Sequence, residues 1–304
     1  MAGLSRPAIL CCGEAVADLV PATLADGGVG FRPVAGGAAV NSAIALARLG
    51  VPAGFVGGLS GDPMGRMLRA QMEAAGVNLA LAQRRTEPTT LALAHSLPDG
   101  TRFDLYDQGS AGRVFDDAPE MPERVRALVF GGISLIHDPA ATTFEALAAQ
   151  ATDGLIWLDL NIRPGLVTDA ASYRARLSRL MARADVVKLS DEDLHWWGEV
   201  PDLRPGQMLI ISHGARGATA RLGGTEITLP APSVVVADTV GAGDVLNAGC
   251  LAWLWQADLL ETPLSLDRSD LEGMLTHGIR AAALSVTRPG AAAPTREELL
   301  TCVP

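Results

Sequence analysis

The sequence predicts an α/β fold, with a mostly parallel central sheet, helices on both of its faces, and a small β-flap formed by roughly residues 14–36 and 88–113. Three observations support this prediction. The chain has 304 residues, of which 48% are hydrophobic and 19% charged, enough to bury a large core without disulfides or metals. Strand-like and helix-like segments alternate along the chain. The strand-like runs are apolar throughout, which is typical of strands buried on both faces.

The alternation gives the order of the elements. Apolar runs predict strands over 8–13, 54–59, 127–136, 155–160, 185–190, 207–212 and 233–238. Segments of helical character predict helices near 37–49, 62–75, 140–151, 170–183, 241–256 and 268–286. Neither an internal repeat nor a low-complexity linker divides the chain, so we expect a single domain over residues 1–304.

The two flap segments interrupt the alternation because they lack a helical period. In the second segment, Pro98-Asp99-Gly100 separates two alternating runs, which indicates a β-hairpin. A flap in an α/β enzyme commonly closes over the site, so we expect this one to act as a lid. Its edge strand offers unpaired backbone groups to a second copy of the chain, which favours a homodimer.

The charge balance excludes several classes of protein. Lys+Arg number 24 and Asp+Glu 34, giving a net charge of −10 and a pI near 5.0, which argues against nucleic-acid binding. The longest uncharged stretch, Pro33 to Ala47, is too short to span a membrane. Lys188 is the sole lysine and lies in neither a Walker A loop nor a protein-kinase lysine motif. The four cysteines form no C-x-x-C pair, which is typical of a reducing cytoplasm.

The string ADTVGAGDVLNAGCLAWLW, residues 237–255, carries the strongest chemical signal. We expect a buried strand to end at Asp238 and Gly241-Ala242-Gly243 to turn tightly into a helix. Backbone N–H groups at a helix N-terminus form an anion site, and Asp244 follows in the first turn. A phosphoryl group held beside a carboxylate that accepts a proton is one interpretation. The alternative is that Asp244 only caps the helix.

A second string, AGGAAVNSAIALARLG, spans residues 35–50. Gly36-Gly37 opens an alanine-rich helix, and Asn41 lies one turn in on an otherwise apolar face. An amide both donates and accepts, so Asn41 is suited to recognise hydroxyl groups. The alternative is a buried asparagine whose hydrogen bonds are purely structural.

Two cationic residues lie at the predicted carboxyl edge of the sheet. Arg163 follows the strand over 155–160, where parallel sheets place ligands, and we expect it to reach a phosphoryl group or a sugar. Its alternative is a surface arginine packed on Pro164. Lys188 lies near the end of the strand over 185–190 and adds positive potential there, unless it is structural.

The two strings, in this order and at this separation, resemble the ribokinase-like carbohydrate kinase family, and the resemblance covers essentially the whole chain. It is closest to bacterial fructokinases, on the strings FDLYDQGSAGR (103–113), FGGISLIHDP (130–139), DLNIRPG (159–165) and VVKLSDEDL (186–194). The resemblance implies a ribokinase-like fold and ATP-dependent phosphorylation of a sugar primary hydroxyl, from fructose to fructose 6-phosphate.

The resemblance also implies residue roles. Asp244 would be the catalytic base, and the transferred phosphoryl group would contact the loop of Gly241, Ala242 and Gly243. The sugar would contact Asp18, Gly36, Gly37, Asn41, Tyr106 and Arg163. The nucleotide would contact Lys188, Ser190, Gly214, Gly217, Thr239 and Gly290. Mg²⁺ would be held through water near Asp193, and a monovalent cation such as K⁺ would lie at Asp238.

The sequence departs from the family pattern at several positions. Ser190 and Asp193 replace the asparagine and glutamate of the motif that holds the magnesium water shell. His213 replaces a small residue near the nucleotide. Related 2-keto-3-deoxygluconate kinases carry a lid arginine where this chain has Asp107, and a carboxylate there would repel an acid sugar.

Several functions therefore stand beside fructose phosphorylation. The same chemistry would serve another sugar, a sugar acid such as 2-keto-3-deoxygluconate, or a nucleoside. Two alternatives belong to a different class: a catalytically inactive sensor of sugar or nucleotide, and a structural α/β scaffold. Asp244 beside the glycine loop favours an active kinase, since neither alternative needs a base at an anion site. We expect a cytoplasmic enzyme that uses ATP, Mg²⁺ and K⁺ and that binds neither nucleic acid nor membrane.

Overall fold

The computed structural model describes residues 6–97, 100–151 and 154–301. Its strands are β1 (Ile9–Cys12), β2 (Val16–Thr23), β3 (Val29–Gly36), β4 (Ala53–Ser60), β5 (Ala82–Arg85), β6 (Thr90–Leu97), β7 (Gly100–Tyr106), β8 (Ala127–Gly131), β9 (Leu155–Asp159), β10 (Val186–Ser190), β11 (Met208–Ser212), β12 (Ala218–Leu222) and β13 (Thr225–Leu229). Its α-helices are α1 (Ala38–Arg48), α2 (Pro63–Ala74), α3 (Ala140–Gln150), α4 (Ala170–Arg183), α5 (Asp191–Trp197), α6 (Ala242–Gln256), α7 (Arg268–Ser285) and α8 (Arg296–Thr301).

The strands form two sheets. The larger has nine strands in the order β13-β12-β11-β10-β9-β8-β1-β4-β5, parallel except for the β12–β13 hairpin at one edge. The smaller has four strands in the order β3-β2-β6-β7. The predicted mostly parallel sheet with a second, smaller sheet is therefore confirmed. Parallel strands end at the same edge, so the loops that follow β1, β8, β9 and β10 meet there.

Apolar side chains pack on both faces of the large sheet. Along β9, Leu155 and Trp157 belong to a core with α1, α2, α6 and α7. Ile156 and Leu158, one residue out of step, belong to a second core with α3 and α4. Successive side chains of a strand point to opposite faces. This explains why the central strands read as continuous apolar runs.

The helices begin where the sequence supplies a cap. Asp62 accepts a hydrogen bond from Gly65 N before α2, and Asp169 accepts one from Ser172 N before α4. Asp267 and Asp270 form a reciprocal capping box at the start of α7. Caps of this kind satisfy N–H groups that a helix leaves without an internal partner.

The four-stranded sheet corresponds to the predicted flap. Strands β2 and β3 come from the segment 14–36, and β6 and β7 come from the segment 88–113. Residues 107–113 form turns beyond the sheet. Of the predicted hairpin turn, Pro98 and Asp99 lie outside the described residues, but β6 and β7 pair antiparallel on either side of it.

The strand predicted over 233–238 is wrong. The segment is irregular, with Val235 88% exposed and Val236 56% exposed. Ala237 N and Asp238 N both donate to Val286 O, at the end of α7. The backbone of this segment therefore forms hydrogen bonds with a helix terminus and not with a strand. Its apolar composition alone was not enough to predict a place in the sheet.

Other boundaries also differ. The run over 127–136 is a strand only as far as Gly131, after which Gly132, at φ +73°, turns the chain into a short 3-10 helix. The apolar and helical patterns did not predict β5, β12, β13, α5 or α8. Among the described residues, no helix has the length and apolar character needed to cross a membrane.

Candidate active site

The N-terminus of α6 lies where the sequence predicts a glycine turn. Gly241 caps the helix with a left-handed backbone, at φ +74°. A Cβ at Gly241 would also lie 2.4 Å from the Cβ of Ala291, so only glycine fits. Ala242 N donates to Thr239 O at 3.2 Å, which takes this N–H away from an incoming anion. Gly243 and Asp244 follow in the first turn, whose N–H groups have no partner within an α-helix.

Asp244 is buried in the described structure, with 6% of its surface exposed. Asn41 Nδ2 donates to Asp244 Oδ2 at 2.9 Å. Burial raises the pKa of Asp244 to about 7, although the hydrogen bond from Asn41 acts in the opposite direction. A carboxyl group with a pKa near neutral is suited to exchange a proton during catalysis.

The contact between Asn41 and Asp244 changes the interpretation of Asn41. The sequence predicts that its amide contacts sugar hydroxyls, and the structure shows that one of its two N–H groups donates to the carboxylate of Asp244. Asn41 therefore orients Asp244, while its second N–H and its carbonyl oxygen remain for a substrate, so its predicted contact with the sugar stays a prediction. The two residues are 203 positions apart in the chain.

Asp18 lies on β2 of the small sheet and is 9% exposed. A Cβ at Gly36 would lie 2.2 Å from Asp18 Oδ2, so the glycine makes room for this carboxylate. Gly37 has φ +93°, and a Cβ there would lie 2.6 Å from Glu14 O. Burial, followed by the negative charges of Glu14 and Asp238, raises the pKa of Asp18 to about 6.

Glu14 is a site residue that the sequence analysis did not single out. It is 5% exposed and follows β1. Its Oε1 accepts a hydrogen bond from Ala38 N at 2.8 Å, and its Oε2 accepts one from Ser134 N at 3.2 Å. One carboxylate thus fixes the start of α1 and the turn after β8. An acidic residue directly after a buried strand was the available signal.

Lys188 is also buried, with 3% of its surface exposed. Its Nζ lies 3.1 Å from each carboxylate oxygen of Asp159. Burial lowers the pKa of Lys188, but the negative charges of Asp159 and Asp193 outweigh burial and hold it above its ordinary value. A Cβ at Gly243 would lie 3.1 Å from Nζ, so the cation borders the glycine loop.

Arg163 is exposed and lies on the loop after β9. Its Nη1 donates to Ile162 O at 3.1 Å, within its own loop. Its positive charge also lowers the pKa of Asp244. Arg163 therefore lies near enough to the predicted base to affect its pKa. Because the side chain is exposed, it can change its conformation.

Tyr106 does not join the site in this structure. Its partner across β6 is Leu91, whereas the partner of Asp18 is Ala92. Since adjacent positions of a strand face opposite sides, Tyr106 and Asp18 project from opposite faces of the small sheet. Tyr106 is also 61% exposed. This arrangement does not bring Tyr106 next to Asp18, and the predicted contact of Tyr106 with the sugar stays a prediction.

The lid residue Asp107 is paired. Arg113 Nη1 donates to Asp107 Oδ1 at 3.2 Å. The two side chains line a small polar cavity of about 20 Å³ together with Glu14, Ser134 and His137. Pairing with a cation weakens the repulsion of an acid sugar that the sequence predicts for Asp107.

Ser190 and Asp193 form the capping box of α5. Ser190 Oγ accepts a hydrogen bond from Asp193 N, and Asp193 Oδ2 accepts hydrogen bonds from Ser190 N and Oγ at 2.7 and 2.8 Å. Asp193 Oδ1 accepts one from Ile162 N at 2.7 Å. These hydrogen bonds stabilise the start of α5, and the predicted nucleotide contact of Ser190 and the water-mediated magnesium role of Asp193 stay predictions.

The side chains do not form a direct magnesium site. Within the described ranges, no group of three or more His, Cys, Asp or Glu residues is arranged to hold a metal. Both oxygens of Asp193 point at protein donors, which fits at most an outer position reached through water.

The glycines predicted at the nucleotide lie at the turn between β11 and β12. Gly214 has φ +58° and Gly217 φ +101°, and a Cβ at Gly217 would lie 2.0 Å from Leu229 O. His213 is held by Asp191 Oδ1 at 2.7 Å and Thr219 Oγ1 at 3.0 Å. An open cleft of about 470 Å³, which the sequence did not reveal, lies beside this turn and is lined by Leu229, Pro230, Ala231, Pro232, Thr276, Ile279 and Arg280.

Asp238 joins two loops. Its Oδ2 accepts a hydrogen bond from Gly290 N at 2.8 Å, and its Oδ1 accepts one from Val240 N at 3.0 Å. The segment before α6 is thereby tied to the segment after α7. Both carboxylate oxygens thus accept backbone N–H groups, and a monovalent cation at Asp238 stays a prediction.

Known proteins share this architecture. The model of the pfkB family carbohydrate kinases matches residues 6–298. A fructokinase of Rhizobium leguminosarum bv. trifolii is 41% identical over 264 residues, covering 83% of this chain and 81% of that protein. A fructokinase of Xylella fastidiosa, solved with bound ATP, has 28% identity and a TM-score of 0.82 over 96% of this chain and 97% of its own.

A related kinase acts on a different substrate class. The aminoimidazole riboside kinase of Salmonella enterica, solved with aminoimidazole riboside and an ATP analogue, has 25% identity and a TM-score of 0.79 over 96% of this chain and 98% of its own. The family match spans nearly all of the described residues, including the α6 loop and the small sheet. The chain belongs to the pfkB family of carbohydrate kinases.

Proposed function

We propose that this protein transfers a phosphoryl group from ATP to the primary hydroxyl of fructose, giving fructose 6-phosphate. The observation that carries the proposal is Asp244, a buried carboxylate with a pKa of about 7 beside the N-terminus of α6. A base poised near neutral pH next to an anion-binding terminus suits phosphoryl transfer to an alcohol. The high similarity to a fructokinase supports fructose as the acceptor.

In the proposed reaction, the oxygen of the sugar hydroxyl attacks the γ-phosphorus of ATP, and Asp244 accepts the proton of that hydroxyl. The bond to the β-phosphate bridging oxygen breaks, and ADP leaves. Asn41 holds the Asp244 carboxylate through the hydrogen bond of 2.9 Å. The N–H groups of Gly243 and Asp244 stabilise negative charge on the transferred group.

Asp18 would hold the sugar, because its carboxylate accepts hydrogen bonds from two hydroxyls. The adenine would lie in the open cleft of about 470 Å³ next to Gly217, and the phosphates would run toward Lys188 and the α6 loop. Mg²⁺ would arrive with the nucleotide and neutralise phosphate charge. A monovalent cation at Asp238 stays a prediction, as do the homodimer and the cytoplasmic location.

The small sheet would act as a lid over a single catalytic unit. Asp18 on β2 would face the bound sugar, and Arg113 and Asp107 follow β7. Closure would exclude water, which otherwise competes with the sugar as phosphoryl acceptor.

The proposal is tested by measuring ADP release with a panel of acceptors: fructose, ribose, glucose, tagatose, adenosine and 2-keto-3-deoxygluconate. We expect fructose to give the highest kcat/KM and the product to carry the phosphate at position 6. A higher kcat/KM with any other member would replace fructose as the substrate. Failure of all six to release ADP would contradict the kinase proposal.

A sugar acid is a second candidate acceptor because Arg113 lies beside the lid cavity. In the wild type, Asp107 neutralises this guanidinium. Asp107→Asn would release the positive charge, and we expect the ratio of kcat/KM for 2-keto-3-deoxygluconate to that for fructose to rise at least about fivefold. An unchanged ratio would show that Arg113 does not face the acceptor.

A further inference from the structure

The sole lysine of the chain is buried beside the active-site loop. Side chains of lysine usually lie in water, and burying one is costly unless it is paired. Only 4% of the Lys188 side chain is exposed, and its ammonium group lies at Asp159 on one side and Gly243 on the other. What holds this cation in place therefore bears on how the loop binds an anion.

Four buried side chains form a continuous set of polar contacts. Trp157 Nε1 donates to Asn247 Oδ1 at 3.1 Å. Asn247 Nδ2 donates to Asp159 Oδ2 at 2.7 Å. Asp159 in turn contacts Lys188 Nζ at 3.1 Å. We call these four residues the lysine relay.

The relay joins three elements at the phosphate end of the site. Trp157 and Asp159 lie on β9, Lys188 lies on β10, and Asn247 lies on α6, three residues after Asp244. We propose that Asn247 and Trp157 are positioning residues, which orient Asp159 so that the Lys188 ammonium stays beside the glycine loop and meets the anion bound there. The inference rests on the proposed function, in that the anion is a phosphate of ATP.

The hydrogen-bond donors of the relay fix the orientation of the Asn247 side-chain amide. The indole of Trp157 only donates, so it turns the carbonyl oxygen of Asn247 toward itself and the NH₂ group toward Asp159. The NH₂ group then holds one oxygen of Asp159. A carboxylate fixed in this way restrains the ammonium, which otherwise rotates on a flexible four-carbon stem.

A purely structural role would give a different outcome. Asn247 is 2% exposed and packs within α6, so its loss also affects stability. A packing defect would lower the melting temperature without changing the environment of one lysine. The chemical environment of the Lys188 side chain is therefore the property to measure.

Because the chain has one lysine, a protein labelled with ¹³Cε-lysine gives a single side-chain resonance. We expect the wild-type resonance to shift when ADP is added. In Asn247→Leu, the resonance of the nucleotide-free protein should move, and its response to ADP should fall to less than half. Trp157→Phe, which removes only the indole donor, should give a smaller change in the same direction.

Leu254→Ala is the matched control, since Leu254 is also fully buried in α6, about two turns beyond Asn247. It should lower the melting temperature and leave the lysine resonance and its ADP response unchanged. An unchanged resonance in nucleotide-free Asn247→Leu would overturn the relay, whether or not the wild type phosphorylates a sugar. Inactivity of the wild type would overturn the proposed function alone.

Kinetics give an independent measurement on an active enzyme. We expect Asn247→Leu to lower kcat at least about fivefold and to leave the KM for sugar within twofold. In the neutral background Asp159→Asn/Lys188→Met, where the buried pair is replaced without leaving a single charge, Asn247→Leu should add less than a twofold loss. Equal losses in both backgrounds would show that Asn247 acts independently of Lys188, and would contradict the relay.

Discussion

Asp244 must be deprotonated to accept a proton, yet its burial favours the protonated form. With a pKa of about 7, the activity of the free enzyme should rise as pH increases through neutrality. Asp244→Asn should lower kcat by about 10²–10⁴, the range for removal of a general base. The measurement is kcat and kcat/KM from pH 5.5 to 9, and near wild-type turnover by this variant would remove Asp244 as the base.

The same burial gives a stability prediction. Because the pKa of Asp244 is raised from 3.8 to about 7 by folding, its contribution to stability is greatest below pH 4 and is lost as pH rises toward and through 7. Asp244→Asn removes the charged form, so it should raise the melting temperature at pH 8 relative to wild type. At pH 4.5 the difference should shrink. A variant less stable at pH 8 would contradict this account.

Asp18 should determine sugar affinity. Loss of a carboxylate that holds hydroxyls costs about 1–3 kcal/mol per unpaired group, so Asp18→Ala should raise the KM for sugar at least about tenfold. The KM for ATP should stay within twofold, because the nucleotide contacts other loops. A lowered melting temperature with unchanged sugar KM would make Asp18 a structural residue.

At the scale of elements, the carboxylate of Glu14 stabilises both the start of α1 and the turn after β8. Glu14 holds Ala38 N at the first turn of α1 and Ser134 N in the turn after β8. Glu14→Ala leaves both N–H groups without this acceptor, at about 1–3 kcal/mol each. We expect a melting temperature lowered by several degrees and a higher KM for sugar, because α1 also carries Asn41.

Asp169→Ala is the control for that prediction. Asp169, to which we assign no sugar or nucleotide contact, caps α4 by accepting a hydrogen bond from Ser172 N. Its loss should cost about 1 kcal/mol of stability and leave the KM for sugar unchanged. Equal KM values for Glu14→Ala and wild type would show that Glu14 stabilises the fold without shaping the sugar site.

At the scale of the whole molecule, the two sheets should differ in mobility. The small sheet has four strands with exposed side chains such as Val29, Phe31 and Tyr106, whereas the large sheet is covered on both faces. If the small sheet is a lid, fructose should slow amide hydrogen exchange in β2, β3, β6 and β7. Exchange in α3 and α4 should stay unchanged. A sugar that protects only the large sheet would contradict lid closure.

Some properties of this molecule are local, and the sequence predicted them. Apolar runs and helical spacing depend on neighbours a few residues away, so the central strands apart from the end of β8, and α1 to α4, α6 and α7, were predicted close to their observed bounds. The glycine turn before Asp244 and the flap segments also follow from local backbone chemistry. The run over 233–238 failed because composition alone does not select a backbone partner, and here that partner is Val286 at the end of α7.

Only the tertiary structure decided which polar groups meet. The sequence predicts a sugar contact for Asn41 but not its contact with Asp244, to which the order of the strands and helices brings its amide. The same packing pairs Asp107 with Arg113 and turns Tyr106 to the face opposite Asp18. It also places Lys188 at Asp159 and Gly243. Hydrogen bonds and charges act over a few ångströms in space, so a chain that is read residue by residue does not reveal them until the sheet order is known.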